Sequence, residues 1–300
     1  MNKKFLIVDG NSILNRAFFG YPQFVNSAGL CLNGVYGFLN ILEKHINDFK
    51  PTHIAVAFDL PAPTFRHEMY VEYKGTRGEK APEFKDCFEP LMNILKAMGI
   101  QYVGVSGYEG DDVIGTLSTF ANENVEVNIL SGDKDIFQLI NKYVKVRFPK
   151  TIDGEKKTII YDEKRFMEEY NLEPIKLIDL KALMGDTSDN IPGITGIGPK
   201  TATKIIKEYG SIENAYAHAE EIKPAKYGKL LKDNFESAKL SKTLATICTS
   251  VGGIKFNLES FEFDNIWNEN SLKLLDGYEI KKNNGDNCIT CYDYFIFSKY

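Results

Sequence analysis

Long apolar runs are missing from this chain of 300 residues. None approaches the roughly 20 residues that a membrane helix needs, so no membrane partner is expected. The amino terminus, MNKKFLIVDGN, sets lysines before apolar residues in the manner of a signal peptide. The apolar stretch is too short, however, and it ends in Asp9, so it reads as a buried strand. Cysteine is scarce: the five are scattered and odd in number, which excludes a disulfide framework and fits a reducing cytoplasm. The four histidines (His45, His53, His67 and His218) lack the spacing of metal ligands and read as structural or surface residues. Cys288 and Cys291 make one CxxC without a second pair, weak grounds for zinc, and the sole tryptophan, Trp267, reads as packing. Positive charge is in deficit, 36 Lys and Arg against 41 Asp and Glu, a balance that argues at face value against a polyanionic partner.

What the chain does have is carboxylates at the ends of its apolar runs. Asp9 ends FLIVD and Asp59 ends HIAVAFD. Glu109, Asp111 and Asp112 lie in GYEGDD, Asp133 and Asp135 in NILSGDKD, and Asp186 and Asp189 in GDTSDN. A single acid at such a place is most often a turn or helix-capping residue: Asp112 alone reads as an N-cap, and Asp135 as the start of the helix KDIFQLI. The joint pattern is harder to explain that way, because each added buried carboxylate raises the electrostatic cost. A fold that gathers these acids needs cations to hold it. Oxygen-only ligands suit Mg²⁺ or Mn²⁺ rather than Zn²⁺, and the chemistry that uses such a cage is two-metal phosphodiester cleavage. The net charge of −5 then misleads: without the nine acids it is −5 + 9 = +4, a surface able to attract phosphates.

The order of elements points to an α/β fold with a mainly parallel central sheet flanked by helices. Phe5 to Val8, Ile54 to Phe58 and Val125 to Leu130 are apolar, β-branched runs of the kind that parallel strands buried on both faces display. Ile100 to Val105 is a weaker strand. Val35, Phe38, Leu39, Leu42 and Ile46 recur at helical spacing, closed by Pro51; Phe84, Phe88, Leu91, Leu95 and Met98 do the same, stopped by Gly99. In open sheets ligands bind beyond the carboxyl ends of the strands, where Asp9, Asp59 and Asp133 fall. After about Ile160 the pattern is mainly helical, over Phe166 to Tyr170, Ile175 to Met184, Thr201 to Tyr209 and Leu240 to Ile247. The expected division is a nuclease-like α/β core over residues 1–172, a helical subdomain over 173–280, and a tail, 281–300, that fits neither pattern.

Two further motifs carry weight. In GITGIGPKTA, Gly196 and Gly198 permit close backbone approach and Pro199 suits the first turn of a helix. With Gly193, Lys200, Thr201 and Lys204 it resembles a helix–hairpin–helix element (about 190–208) that grips DNA backbone without reading sequence; the plain alternative is an ordinary helix–helix turn. In FRHEMYVEYKGTRGEK, Arg66, Tyr70, Lys74 and Arg77 fall on one face at roughly 3.6-residue spacing, with Tyr73 beside it. Cations interleaved with aromatics suit single-stranded nucleic acid, although a solvated amphipathic helix has the same look.

Taken together, these residues resemble the 5′ nuclease (5′→3′ exonuclease, flap endonuclease) domain of bacterial DNA polymerase I. The matching stretches are LIVDGN, AFDLPAPTFRHEMYVEYKGTR, GYEGDD, SGDKDIFQL and LMGDTSDNIPGITGIGPKTA, collinear from about Lys4 to about Glu279. The resemblance implies one metal site at Asp9, Asp59, Glu109 and Asp111. It implies a second at Asp111, Asp133, Asp135 and Asp186, with Asp112 and Asp189 close by. It further implies a helical arch over about 61–82 with Arg66, Lys74 and Arg77 as phosphate-steering catalytic cations, a K⁺ at the hairpin, and cleavage of flapped, nicked or 5′-ended duplex DNA in replication (RNA primer removal) and repair. The implied protein is a cytoplasmic, nucleoid-associated bacterial monomer acting beside a DNA polymerase. The rival readings are a catalytically inactive DNA-binding module of the same fold and an RNA-directed nuclease. Gly110 departs from the alanine usual in the family, and no polymerase or proofreading segment follows within the 300 residues.

Overall fold

The computed structural model describes residues 3–253, 255–282 and 289–291. Its centre is a six-stranded sheet built from β1 (Lys3–Asp9), β2 (His53–Ala57), β3 (Gln101–Val103), β4 (Val125–Leu130), β5 (Val144–Ile152) and β6 (Glu155–Tyr161), in the order β3-β2-β1-β4-β5-β6. The first five are parallel and β6 is antiparallel to β5. Alternation along β1 divides the core: Leu6 and Val8 face one hydrophobic cluster, Phe5 and Ile7 the other, as the two-residue period of a strand requires. Helices α1 (Gly10–Gly20), α2 (Asn33–Phe49), the short α3 (Phe65–Met69), α4 (Pro82–Asp86), α5 (Phe88–Ala97) and α6 (Gly110–Ser118) fill the crossovers. Leu14, Phe38 and Leu91 cover the first face; Val113, Ile114 and Leu117 of α6 cover the second.

From α7 (Glu163–Tyr170) onward the chain is helical: α8 (Leu177–Met184), α9 (Pro199–Tyr209), α10 (Ile212–Ala217), α11 (Ala225–Asp233), α12 (Phe235–Ala245) and α13 (Glu269–Gly277). Helices α8 to α12 close over their own cluster, which includes Leu183, Ile194, Ile205, Ile206 and Leu231. The turn Leu258–Phe261 and α13 return to the sheet, where Phe261 and Leu275 join the two strand-side clusters. A short antiparallel pair joins Ile280–Lys282 to Ile289–Cys291; the remainder of the expected tail, Cys288 included, lies outside the described residues.

Three local expectations change. The helix read across Phe84 to Met98 is two helices, because Pro90 has no N–H for the carbonyl of Asp86 and is accommodated only when α5 restarts at Phe88. A β5–β6 hairpin that the reading missed turns on Asp153 (φ 51°) and Gly154 (φ 81°), the Asp-Gly pair that a tight turn with two positive φ values favours. The helical arch is not a helix: α3 stops at Met69, Tyr70 is extended, and Lys74 is left-handed at φ 54°. Residues 70–77 instead fold down as a strap, pinned by the Lys74 amide to the Asp189 carbonyl (2.9 Å) and by Asn190 Nδ2 to the Glu72 carbonyl (2.7 Å).

Candidate active site

The strand order reverses between β1 and β4, and at that switch point the carboxyl ends of the strands diverge to leave a crevice. Asp9 ends β1 in register with Ala57, and Val8 pairs with Leu130, so the acids that follow β1, β2 and β4 come out level on one edge. The result is a cleft of about 580 Å³ lined by eight of the nine acids: Asp9, Asp59, Glu109, Asp111, Asp133, Asp135, Asp186 and Asp189.

Four of them are aimed by local hydrogen bonds. Asp9 caps α1 by accepting from the Ser12 amide (3.0 Å) and takes the Ser131 hydroxyl of the neighbouring strand end at 2.6 Å. The Asp59 amide donates to Asn11 Oδ1 (3.0 Å), and Asp59 Oδ1 accepts from the Gly110 amide at 2.7 Å. An alanine Cβ at position 110 would come within 3.2 Å of that same oxygen, a tight approach that the glycine avoids. Ser131 Oγ also accepts from the Asp133 amide (2.9 Å), and Asp133 Oδ1 accepts from the Asp135 amide (2.9 Å), one turn carrying both acids. Asp186 accepts from the Ser188 amide and hydroxyl.

Crowding shows in the protonation of these groups. Burial, with Asp133 and Asp59 adding repulsion, pushes the Asp9 carboxyl up to about 7. Desolvation in the cleft, then Asp9 and Asp133, push Asp111 well above the carboxylate range. Burial raises Asp135 to about 6 against the pull of Lys181. Burial would raise Asp186 too, but hydrogen bonds from Lys181 and Ser188 hold it at about 2. Of the five side-chain cations that line the cleft (Lys74, Arg77, Lys80, Lys134 and Lys181), three bond its acids. Lys181 of α8 bonds both Asp135 and Asp186, Lys74 donates to Glu109 at 2.7 Å, and Arg77 bonds Asp189. An all-oxygen set with amines bridging its members fits hard divalent cations, for which the amines stand in.

Five sequence-predicted residues take other places. Asp112 is fully buried and points away from the cleft: it accepts from the Glu109 amide (3.0 Å), closing a capping box on α6, and from the Cys248 amide at 2.8 Å. Arg66, 2% exposed, is its partner, forked onto both Asp112 oxygens at 2.7 and 2.8 Å and donating to the carbonyls of Leu244 (2.9 Å) and Thr246 (2.7 Å). A cation so enclosed holds α6 rather than facing a substrate. Tyr73 is buried as well, its hydroxyl donating to Glu109 and Asp189 at 3.2 Å each, so its ring is not free to stack on a base. Tyr70 bonds Glu72 at 2.9 Å and packs beside Leu244. Gly193 is a packing residue: a Cβ there would lie 2.2 Å from the Gly185 nitrogen, and Ser241 and Ser237 bond its backbone. Gly196, Gly198, Lys200 and Lys204 are exposed at the start of α9, with Thr201 half-buried and Gly198 as N-cap. The sequence reading missed Lys181, which sits in no motif, and Asn11, Ser12 and Ser131, whose neighbours in DGNS and LSGD were the available signal.

Comparison with known proteins bears on this geometry. Residues 4–171 match the family described as 5′-3′ exonuclease, N-terminal resolvase-like domain, and residues 172–269 the 5′-3′ exonuclease, C-terminal SAM fold. DNA polymerase I of Bacillus caldotenax is 44% identical over 252 residues, covering 82% of this chain; the chain spans 28% of that relative's length. Among solved structures, the T5 5′-exonuclease with bound zinc superposes with a TM-score of 0.67 at 23% identity, covering 82% of this chain and 90% of that one. The T5 flap endonuclease in a pseudo-enzyme-product complex with DNA and metal ions gives 0.65 at 23% identity over the same shares. At that identity the likeness is one of fold.

Proposed function

The chain belongs to the 5′-3′ exonuclease family, and from that premise we propose that it hydrolyses phosphodiester bonds at 5′ ends and flaps of duplex DNA in a divalent-metal-dependent reaction. The observation that carries the reading is the convergence of eight carboxylates on one cleft at the sheet's switch point, with Lys181 bonded to two of them. Asp9, Asp59, Glu109 and Asp111 would hold one ion, and Asp111, Asp133, Asp135 and Asp186 a second. Asp189 stands at the rim, and Asp112 serves the scaffold. Oxygen donors favour Mg²⁺ or Mn²⁺. Bound there, such ions supply an activated water and offset charge on the scissile phosphate and leaving oxygen.

The chain's own residues do the rest. Ser12, Asn11 and Ser131 fix the carboxylates in place before any ion arrives, so little reorganisation is left to the reaction. Arg66 and Asp112 lock the first turn of α6, which keeps Glu109 and Asp111 turned to the cleft. Lys74, Arg77 and Lys80 line the same cleft and supply positive charge to a phosphate once the acids are otherwise satisfied. The amides at the start of α9, with Lys200 and Lys204, suit the backbone of the downstream duplex, and a K⁺ at that hairpin belongs to the same proposal. Residues 1–172 would form the nuclease core and 173–280 the duplex-gripping unit. A monomer in the bacterial cytoplasm, working at the nucleoid beside a DNA polymerase on RNA-primed fragments and repair sites, completes it; no helix among the described residues is long and apolar enough to cross a membrane.

A 5′-labelled flap duplex incubated with Mg²⁺, with and without chelator, tests the proposal. Cleavage near the branch that stops with chelator and in Asp133→Ala is the expected result. Cleavage that persists in chelator would sink the metal-dependent reading, and binding without cleavage at any metal concentration would favour the inactive module.

A further inference from the structure

A second constellation lies at the opposite edge of the sheet. His53 opens β2, so it stands at the amino end of the strand whose carboxyl end leads to Asp59. Its ring is 1% exposed and sets its edge against Phe5, centroids 6.3 Å apart. Nδ1 lies 2.8 Å from the Thr52 hydroxyl, which in turn reaches the Lys4 carbonyl at 3.2 Å. In the tautomer whose Nδ1–H donates to Thr52, the hydroxyl proton goes to that carbonyl and Nε2 presents a lone pair. Nε2 is buried without a hydrogen-bond partner, and it faces Glu259 Oε2 at 3.9 Å and Glu262 Oε1 at 3.7 Å. In that tautomer the Nε2 lone pair and the two carboxylates converge as donors for a cation.

The glutamates are brought there by structure rather than by chance of surface charge. The turn Leu258–Phe261 buries Phe261 against Phe5, rings stacked at 5.4 Å, and Glu262 bridges back to His53 through the backbone. Glu259 and Glu262 are three residues apart and project to one side.

We propose that His53, Glu259 and Glu262 form a site for a divalent transition metal, best suited to Zn²⁺, that fastens the 258–262 turn to the sheet. One nitrogen, two carboxylate oxygens and a water at the open fourth position make a familiar zinc donor set, and Thr52 orients the ring from behind. The three ligand atoms lie within 4.8 Å of one another. Tetrahedral zinc with bonds of about 2.0–2.2 Å sets its ligands about 3.4 Å apart, which the half-exposed glutamates reach by a small rotation. Lys3 bonds Glu259 and is the local competitor for the ion. Along the sequence the site is hidden, because His53 and Glu259 are separated by nearly the whole sheet.

The full chain, held in excess Mg²⁺ to fill the acid cleft, is titrated with Zn²⁺ by calorimetry, and its thermal midpoint is followed in parallel. One equivalent of Zn²⁺ should bind and raise the midpoint. The Glu259→Gln, Glu262→Gln double variant should lose that equivalent, and Asp133→Ala should keep it. Thr52→Val should weaken Zn²⁺ about 10–100-fold, the usual cost of losing an outer partner of a ligating histidine. Lys3→Met should tighten it, the reverse of what a plain Lys–Glu–His ion cluster predicts for the midpoint. Uptake unchanged in the double variant, uptake lost in Asp133→Ala, or a Lys3→Met variant that binds less tightly would each overturn the proposal.

Discussion

Replacing Arg66 by methionine distinguishes a scaffold cation from a substrate-facing one. The guanidinium makes five polar contacts: two to Asp112 at 2.7 and 2.8 Å, one to Glu109 at 3.3 Å, and two to the carbonyls of Leu244 and Thr246. Asp112 is 0% exposed, so in Arg66→Met its carboxylate keeps only the amides of Glu109 and Cys248. Stranding a buried charge in this way costs about 3–5 kcal/mol. Each orphaned carbonyl adds about 1 kcal/mol, offset in part by the apolar fit of methionine in the same channel. A net loss of about 3–5 kcal/mol is a large share of a stability of about 5–15 kcal/mol and lowers the melting point by roughly 6–20 °C. The assay is thermal and urea unfolding in chelator, where metal effects are silent. Arg66→Met combined with Asp112→Leu should recover most of the loss, because the pair is then replaced rather than broken. If Arg66→Met loses less than about 1 kcal/mol while cleavage collapses, Arg66 faces the substrate and the buried-keystone account is wrong.

Three further outcomes follow from the cleft and the hairpin. In the metal-free chain Asp9 and Asp135 are raised from 3.8 to about 7 and about 6, so the folded state holds protons that the unfolded state has released. Stability is therefore full below about 4 and falls as pH rises toward 7; a chelated melting point that fails to drop between pH 5 and 8, or a drop that survives saturating Mg²⁺, would contradict the crowding account. Lys200→Ala with Lys204→Ala should weaken duplex binding and flatten its log–log salt slope by about 1.8, two phosphate contacts at about 0.9 each, whereas an unchanged slope makes GITGIGPKTA a plain turn. Lys74→Ala should tighten metal binding, since the amine competes for Glu109, yet slow single-turnover cleavage more than it weakens flap affinity; a change in affinity alone reduces Lys74 to a steering charge.

The parts that were legible in the sequence are those governed by short-range rules. A parallel strand covered on both faces must be a continuous apolar run, so β1, β2 and β4 announce themselves, and an acid at the end of such a run lands on the carboxyl edge. That is why eight of the nine acids line one cleft. Asp112 was indistinguishable from Glu109 and Asp111 within GYEGDD, because one residue along a helix turns a side chain by about 100°, from cleft to core. Arg66 was misplaced for the opposite reason: its partners at Leu244 and Thr246 lie far along the chain, and no local pattern records them. The 3.6-residue spacing of Arg66, Tyr70, Lys74 and Arg77 presumed a helix that tertiary bonds to Asp189 and Asn190 override. Lys181 needed α8 to be docked before it could be seen at all.

The cage therefore carries its own counterions, and this decides how it can work. Eight acids face the cleft, and Lys74, Arg77 and Lys181 are bonded to four of them. The proteins' usual alternative, leaving the carboxyls protonated, accounts for the raised Asp9 and Asp111. Divalent cations held by these acids would replace both devices: Asp9 and Asp111 would give up their protons, and Lys74, Arg77 and Lys181 their carboxylate partners. Lys74 and Arg77 belong to the strap, and the strap is tied to the loop of Asp186 and Asp189, which continues through Gly193 into the exposed start of α9. Lys74 and Arg77, which line the cleft, would then be the cations best placed to meet a phosphate. The hairpin is fixed to α8 and α12 through Gly185, Ser237 and Ser241, which sets its position relative to the acids. Under the proposed function, a duplex held at α9 would present its 5′ strand to the acids, with Lys74 and Arg77 as the charges that receive the phosphate.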